Sequence, residues 1–216
     1  MGFPHCGTTI VRKLIGNSPE VRDIQHETMH MPDIEIVEGN AVIKFTCTDI
    51  DRWVGNYVDF KVVVVIKSPF DVFGSLNRRF RGDQNQENHT ILDWDKYAKS
   101  FLKYIEKPVD NVYVVKYEDL FTNLYEQAQR LYAFLGLEFN KKIVTTKRDV
   151  YISPTCVNIP LEQPKDCTNG VPHGQYRTWQ INQPFENKIG GSRKYLSKEQ
   201  EEILLSLETV EKLKYS

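Results

Sequence analysis

The chain has 216 residues, 40% of them apolar and 26% charged, which suits one folded domain with a real core and excludes wholesale disorder. Lys and Arg number 28 against 29 Asp and Glu; a formal charge of -1 argues against a protein that coats nucleic acid, but not against a local basic pocket. No apolar run approaches the ~18 residues of a membrane span and no charged-then-apolar leader is present, so the chain reads as soluble, with the cytoplasm favoured unless its N-terminus is truncated.

In chain order, Ile10, Val11, Leu14 and Ile15 form the apolar face of a short helix behind Gly7-Thr8-Thr9, stopped by Gly16-Asn17 and Pro19. Residues 41–46 read as a strand. Val62-Val63-Val64-Val65-Ile66 is an unbroken β-branched run, as expected of a parallel strand covered on both faces. Val72, Phe73, Leu76 and Phe80 give helical spacing behind Pro69, and Trp94, Tyr97, Ala98, Phe101, Leu102 and Ile105 give it again. Residues 112–115 are the next strand. Leu124, Ala128, Leu131 and Leu135 mark a helix ended by Gly136.

Periodicity then disappears, and Pro154, Pro160, Pro164, Pro172 and Pro184 punctuate residues 140–195 as an irregular lid or acceptor loop. Ser197-Lys198-Glu199-Gln200 has the form of a capping box. It opens a last helix with Ile203, Leu204, Leu207, Val210 and Leu213 on one side. Strands interleaved with helices predict a single α/β domain over 1–216, a three-layer sandwich around a parallel sheet with a long irregular C-terminal segment.

Four cysteines, Cys6, Cys47, Cys156 and Cys167, are too few for a disulfide scaffold and lack the paired spacing of a zinc site. Cys156 and Cys167 fall close together in the loop-like stretch, where a bridge and two free thiols are equally open. Asn88-His89-Thr90 is a glycosylation sequon, which carries meaning only with a secretory route.

Gly2-Phe3-Pro4-His5-Cys6-Gly7-Thr8-Thr9 has the spacing of a phosphate loop, with Thr8 where the usual Lys would stand. A glycine-bearing turn ahead of a helix aims backbone N–H groups at one point, and the helix dipole adds partial positive charge there. An ordinary threonine-capped loop has the same look. Losing the Lys argues against a P-loop kinase or triphosphatase. No carboxylate follows the 62–66 strand to hold magnesium, so no metal is expected and other cations are needed. Lys44, inside a strand, and Lys67, at the end of the buried one, supply them, with Ser75 two turns into the next helix.

These segments resemble the sulfotransferase family, whose sulfuryl donor is 3'-phosphoadenosine 5'-phosphosulfate (PAPS). Pro4-His5-Cys6-Gly7-Thr8-Thr9 is similar to the family's first motif, and Ser18-Pro19-Glu20-Val21 to its continuation. Lys67-Ser68-Pro69-Phe70-Asp71 with Ser75 resembles the second. Val115-Lys116-Tyr117-Glu118-Asp119-Leu120, Phe134-Leu135-Gly136-Leu137 and Gly190-Gly191-Ser192-Arg193-Lys194 resemble later segments.

The resemblance implies that His5, Cys6, Gly7, Thr8 and Thr9 cradle the 5'-phosphosulfate. Lys67 and Ser75 would hold the 3'-phosphate, with Arg193 and Lys194 closing from the C-terminal side and Tyr117 supporting the adenine end. Lys44 would stand beside the sulfuryl group. Members carry Arg or Lys where this chain has His5, so Lys44 takes the larger part in stabilising the leaving oxygen and His5 the smaller. Glu27 is the candidate general base, with His26 the alternative; the same pair also reads as a solvated loop. His30, His89 and His173 read as surface residues.

The implied function is sulfuryl transfer to an acceptor hydroxyl of a carbohydrate, a tyrosine or a small molecule, the carbohydrate suggested by the late cysteine pair. A degenerate member that binds nucleotide without turnover is the alternative, ahead of a P-loop kinase. One departure concerns the fold. Members carry a strand ahead of the loop, whereas only Met1-Gly2-Phe3 precedes Pro4 here, and a missing central strand would expose an edge and leave the loop unanchored.

Overall fold

A computed structural model describes residues 1–28, 39–56, 59–79, 89–145, 158–159, 161–162, 175–176, 178–179, 182–183, 185 and 187–215. Helix α1 (Thr8–Gly16) leads to β1 (Val21–Thr28) and β2 (Asn40–Phe45), then α2 (Ile50–Asn56), β3 (Val62–Ile66), α3 (Pro69–Arg79) and α4 (Ile91–Glu106). Strand β4 (Val112–Lys116) runs straight into α5 (Tyr117–Thr122), followed by α6 (Leu124–Leu135) and α7 (Lys142–Thr145). A 3-10 turn (Arg193–Tyr195) precedes α8 (Lys198–Leu205) and α9 (Glu208–Lys212).

The strands pair in parallel, β1 with β2 and β3 with β4, the latter in register from Val62↔Val112 to Ile66↔Lys116. Gly2 joins the two pairs. It bridges Thr46, just past β2, on one side and Val65 of β3 on the other, both in parallel. The Gly2 N–H donates to the Phe45 carbonyl at 3.2 Å, Cys47 N–H donates to Gly2 O at 3.0 Å, and Val65 N–H donates to Met1 O at 2.9 Å. Met1 and Gly2 therefore occupy the place of a central strand. The unanchored loop expected from so short a lead-in is corrected by these bonds, which close the seam on both sides.

Side chains of β3 alternate between two cores, as a strand buried on both faces must. Val62, Val64 and Ile66 face α2, α3, α4 and the C-terminal helices through Ile50, Phe73, Trp94, Tyr97, Phe101 and Leu204. Val63 and Val65 face α1, α6 and α7 through Val11, Leu14, Leu131, Tyr132 and Ile143. This is the expected three-layer α/β arrangement. Buried hydroxyls reach backbone carbonyls across the layers, Tyr97 to Val65 O at 2.8 Å and Tyr132 to Leu14 O at 2.7 Å.

Caps delimit the helices where the sequence offers them. Thr90 and Asp93 form a capping box on α4, Ser197 and Gln200 another on α8, and Gly136 ends α6 at φ 74. Three expectations need correction. The last helix is two, because Leu207 is extended and N-caps α9. Ile203 and Ile105 point outward rather than into the core. Residues 21–28, with no apolar alternation to mark them, form a strand. Among the described residues no helix is long and apolar enough to cross a membrane.

Candidate functional site

Every parallel strand ends at the same edge of the sheet, and the face that takes the crossover helices changes at the seam between Gly2 and β3. From Gly2 the chain turns into α1 on one face, and from β3 it turns into α3 on the other. Such a switch point leaves a crevice outside the carboxyl ends of the strands, where open α/β sheets place their ligands. The phosphate-like loop lies in it.

Phe3 anchors the loop from below, its ring 6.3 Å from Phe73 and 5.9 Å from Tyr97. Cys6 is also buried, and burial drives its thiol well above the ordinary cysteine range despite a hydrogen bond from the Lys67 backbone. Its side chain thus belongs to the core, while the turn above it carries the polar groups. His5 adopts φ 64 and Gly7 φ 85, the left-handed region, so that the chain can wrap and enter α1. At Gly7 a Cβ would lie 2.3 Å from Cδ2 of Tyr117. Only glycine fits both that conformation and that approach.

Two buried lysines flank the loop. Lys44, on β2 and 5% exposed, donates from Nζ to Thr9 Oγ1 at 3.0 Å, bringing its charge to the first turn of α1. Lys67 follows β3 at 8% exposure. Its Nζ lies 4.5 Å from the centre of the Tyr117 ring and 3.7 Å from Asp71 Oδ2. The His5 ring reaches across the crevice, Nδ1 3.0 Å from Ser75 Oγ. The loop, Lys44, Lys67, Ser75 and Tyr117 are thereby brought together. Tyr117 is buried between Gly7, Lys67 and Phe121 and supports the loop from beneath.

Arg193 approaches α3 from the C-terminal side. Its guanidinium lies 4.3 Å from the Phe70 ring centre and pairs with Glu201 through Nε at 2.8 Å. Glu27 falls on β1 in backbone register with Lys44, and His26 is its neighbour in that strand, so the backbone here is a strand where the sequence also allowed a loop. His89 is half-buried rather than at the surface. Its ring stands edge-on to Phe3 at 5.8 Å, and burial pulls its pKa below the ordinary value, against the pull of Asp93. His30, His173, Cys156 and Cys167 lie outside the described residues.

Sequence reasoning missed the acids around Lys67. Asp71 accepts backbone hydrogen bonds from Gly190 at 2.7 Å and Ser192 at 3.1 Å. Glu118 accepts one from Ser68 at 2.9 Å, and burial raises its pKa. The i,i+4 spacing of Lys67 and Asp71 was a signal for the first. Nothing local marked the second.

Among curated protein sequences none matches the chain significantly. Among solved structures it is similar to the crystal structure of mouse sulfotransferase SULT7A1 complexed with PAP, with a TM-score of 0.51 and 17% sequence identity over 66% of this chain. The likeness covers 58% of that neighbour, and at such identity it speaks for the fold. The sulfotransferase domain family matches residues 51–204, a stretch that takes in Lys67, Ser75, Tyr117 and Arg193. With more than half of its length matched, the chain belongs to the sulfotransferase family.

Proposed function

We propose that this protein transfers a sulfuryl group from PAPS to an acceptor hydroxyl, and that the acceptor is a carbohydrate. The observation that carries the reading is the meeting of two buried lysines, a phosphate-like loop and the His5–Ser75 contact at one switch-point crevice. A donor with anionic groups at both ends of an adenosine needs two cationic places at once. The PAP held by the mouse neighbour agrees with such a donor.

In this reading the loop from His5 to Thr9 receives the 5'-phosphosulfate, with its backbone N–H groups and the N-terminus of α1 turned to the charge. Lys67 and Ser75 receive the 3'-phosphate, with Arg193 alongside. Tyr117 acts through the loop it supports. The acceptor oxygen attacks sulfur in line, the bond from sulfur to the bridging phosphate oxygen breaks, and 3'-phosphoadenosine 5'-phosphate leaves. Charge develops on that bridging oxygen, where Lys44 stabilises it more in the transition state than before, with His5 as a lesser partner. Glu27 takes the acceptor proton. The chain acts as one domain, and residues 140–195 shape the acceptor side.

The test is label transfer from PAPS to carbohydrate, tyrosine-peptide and small-molecule acceptors, run beside calorimetry with 3'-phosphoadenosine 5'-phosphate. Label on a carbohydrate is expected. Nucleotide binding with no transfer to any acceptor would mean a binding member without turnover, and magnesium-dependent ATP binding in its place would mean a kinase.

A further inference from the structure

One face of α3 carries Phe70, Asp71, Gly74 and Asn77, spaced as one side of a helix. Every one of them touches the segment 190–195. Asp71, 2% exposed, spends both carboxylate oxygens on it, Oδ2 on Gly190 N–H and Oδ1 on Ser192 N–H. Gly74 lets the backbone in so closely that a Cβ there would stand 2.0 Å from Ser192 O. Asn77 Nδ2 donates to Tyr195 O at 3.0 Å, and Phe70 lies under the Arg193 guanidinium. Two residues before Gly190, the Lys188 N–H donates to the hydroxyl of Tyr117. Asp71 and Tyr117 also lie against the Lys67 ammonium. The strap and the lysine therefore share their supports.

We propose that Asp71 and Gly74 are positioning residues for recognition of the 3'-phosphate: they fix the 188–195 strap against the start of α3, so that Lys67 and the strap present one preformed site. The proposal rests on the reading of Lys67 as the 3'-phosphate holder. It makes a prediction of unusual sign. Asp71→Asn removes a negative charge 3.7 Å from Lys67, which by Coulomb attraction alone would tighten the hold on a phosphate. Positioning demands the reverse. The amide can accept at only one of its two ends, so one of the Gly190 and Ser192 bonds is lost and the strap loosens.

The experiment measures calorimetric affinities for 3'-phosphoadenosine 5'-phosphate and for AMP, which lacks the 3'-phosphate, in the full chain and in Asp71→Asn and Gly74→Ala. The wild type should prefer the bisphosphate, and both variants should lose about tenfold or more of that preference while AMP binding stays put, as loss of a charge-assisted contact implies. Gly74→Ala changes no charge and raises helix propensity, so it reports on the strap even if Asp71→Asn fails to fold. Tighter bisphosphate binding in Asp71→Asn, or a preference intact in Gly74→Ala, would overturn the proposal. No preference in the wild type would remove instead the assignment of Lys67 beneath it, and the proposal with it.

Discussion

If Lys44 has the proposed role at the bridging oxygen, Lys44→Met should separate catalysis from binding. The side chain is buried in β2 with its ammonium on Thr9 of the loop, and methionine keeps the length and volume of the stem while deleting the charge. Before the reaction, the donor's charge sits on non-bridging oxygens that the loop amides and the helix dipole can also serve. During it, charge moves to the bridging oxygen. Deleting one preorganised donor to such developing charge costs about 2.7–4 kcal/mol, or ~10²–10³ in kcat. The KM for PAPS should move by less than about tenfold, because the ground state gives up the weaker part of the contact. The product carries the full charge on that oxygen, so 3'-phosphoadenosine 5'-phosphate should lose more affinity than PAPS. Initial rates at varied PAPS, with calorimetry for both nucleotides and a melting curve to exclude misfolding, make the comparison. Losses of equal size in PAPS affinity and in kcat/KM, with kcat unchanged, would refute a transition-state role for Lys44.

Gly7→Ala forces a Cβ onto the Tyr117 ring in a left-handed conformation that alone costs about 1–2 kcal/mol, so nucleotide affinity measured by calorimetry should fall about tenfold or more, with far-UV circular dichroism unchanged. Tyr97→Phe removes the hydroxyl that serves Val65 O between α4 and β3, and chemical denaturation should show a loss of about 1–2 kcal/mol with little change in KM. Glu118 has its pKa raised by burial, so the folded state holds a proton that the unfolded chain gives up at lower pH. Stability must then fall as pH rises from the ordinary glutamate value of about 4.3 through the raised one, and level off above it. Glu118→Gln keeps an acceptor for Ser68 and should lack that decline; parallel pH–denaturation curves for the two proteins would contradict the assignment.

What was legible in the sequence was what is local. The Val62–Ile66 run announced a strand covered on both faces, and Thr8-Thr9 behind Gly7, Ser197 with Gln200, and Gly136 each marked a helix end that the fold uses. Strand β1 was not legible because Arg22, Asp23, Gln25, His26 and Glu27 leave only Val21 and Ile24 to signal it, as befits a strand at the end of its sheet. The break between α8 and α9 falls at Leu207 with no glycine or proline to announce it. In the site, the lysines, the loop and Ser75 could be named from motif order. Their partners could not, since Asp71 meets Gly190 and Ser192 across more than a hundred residues, and Glu118 meets Ser68 across fifty.

The two buried lysines stand on either side of the loop because of where Gly2 lies in the sheet. Gly2 is flanked by β2 and β3, and each of these neighbours carries a buried lysine at or just past its carboxyl end, Lys44 and Lys67, so the loop that rises from Gly2 has one ammonium on either side. The loop itself carries no lysine; Lys44 brings its charge from the next strand to the first turn of α1. The threonine at position 8 is then free to pack, and its Cγ2 lies where a Cβ on Gly2 would come within 2.5 Å. That closeness binds loop to seam. The segment below the loop does three local things at once: it is small at Gly2, it pairs on both edges, and it buries Phe3.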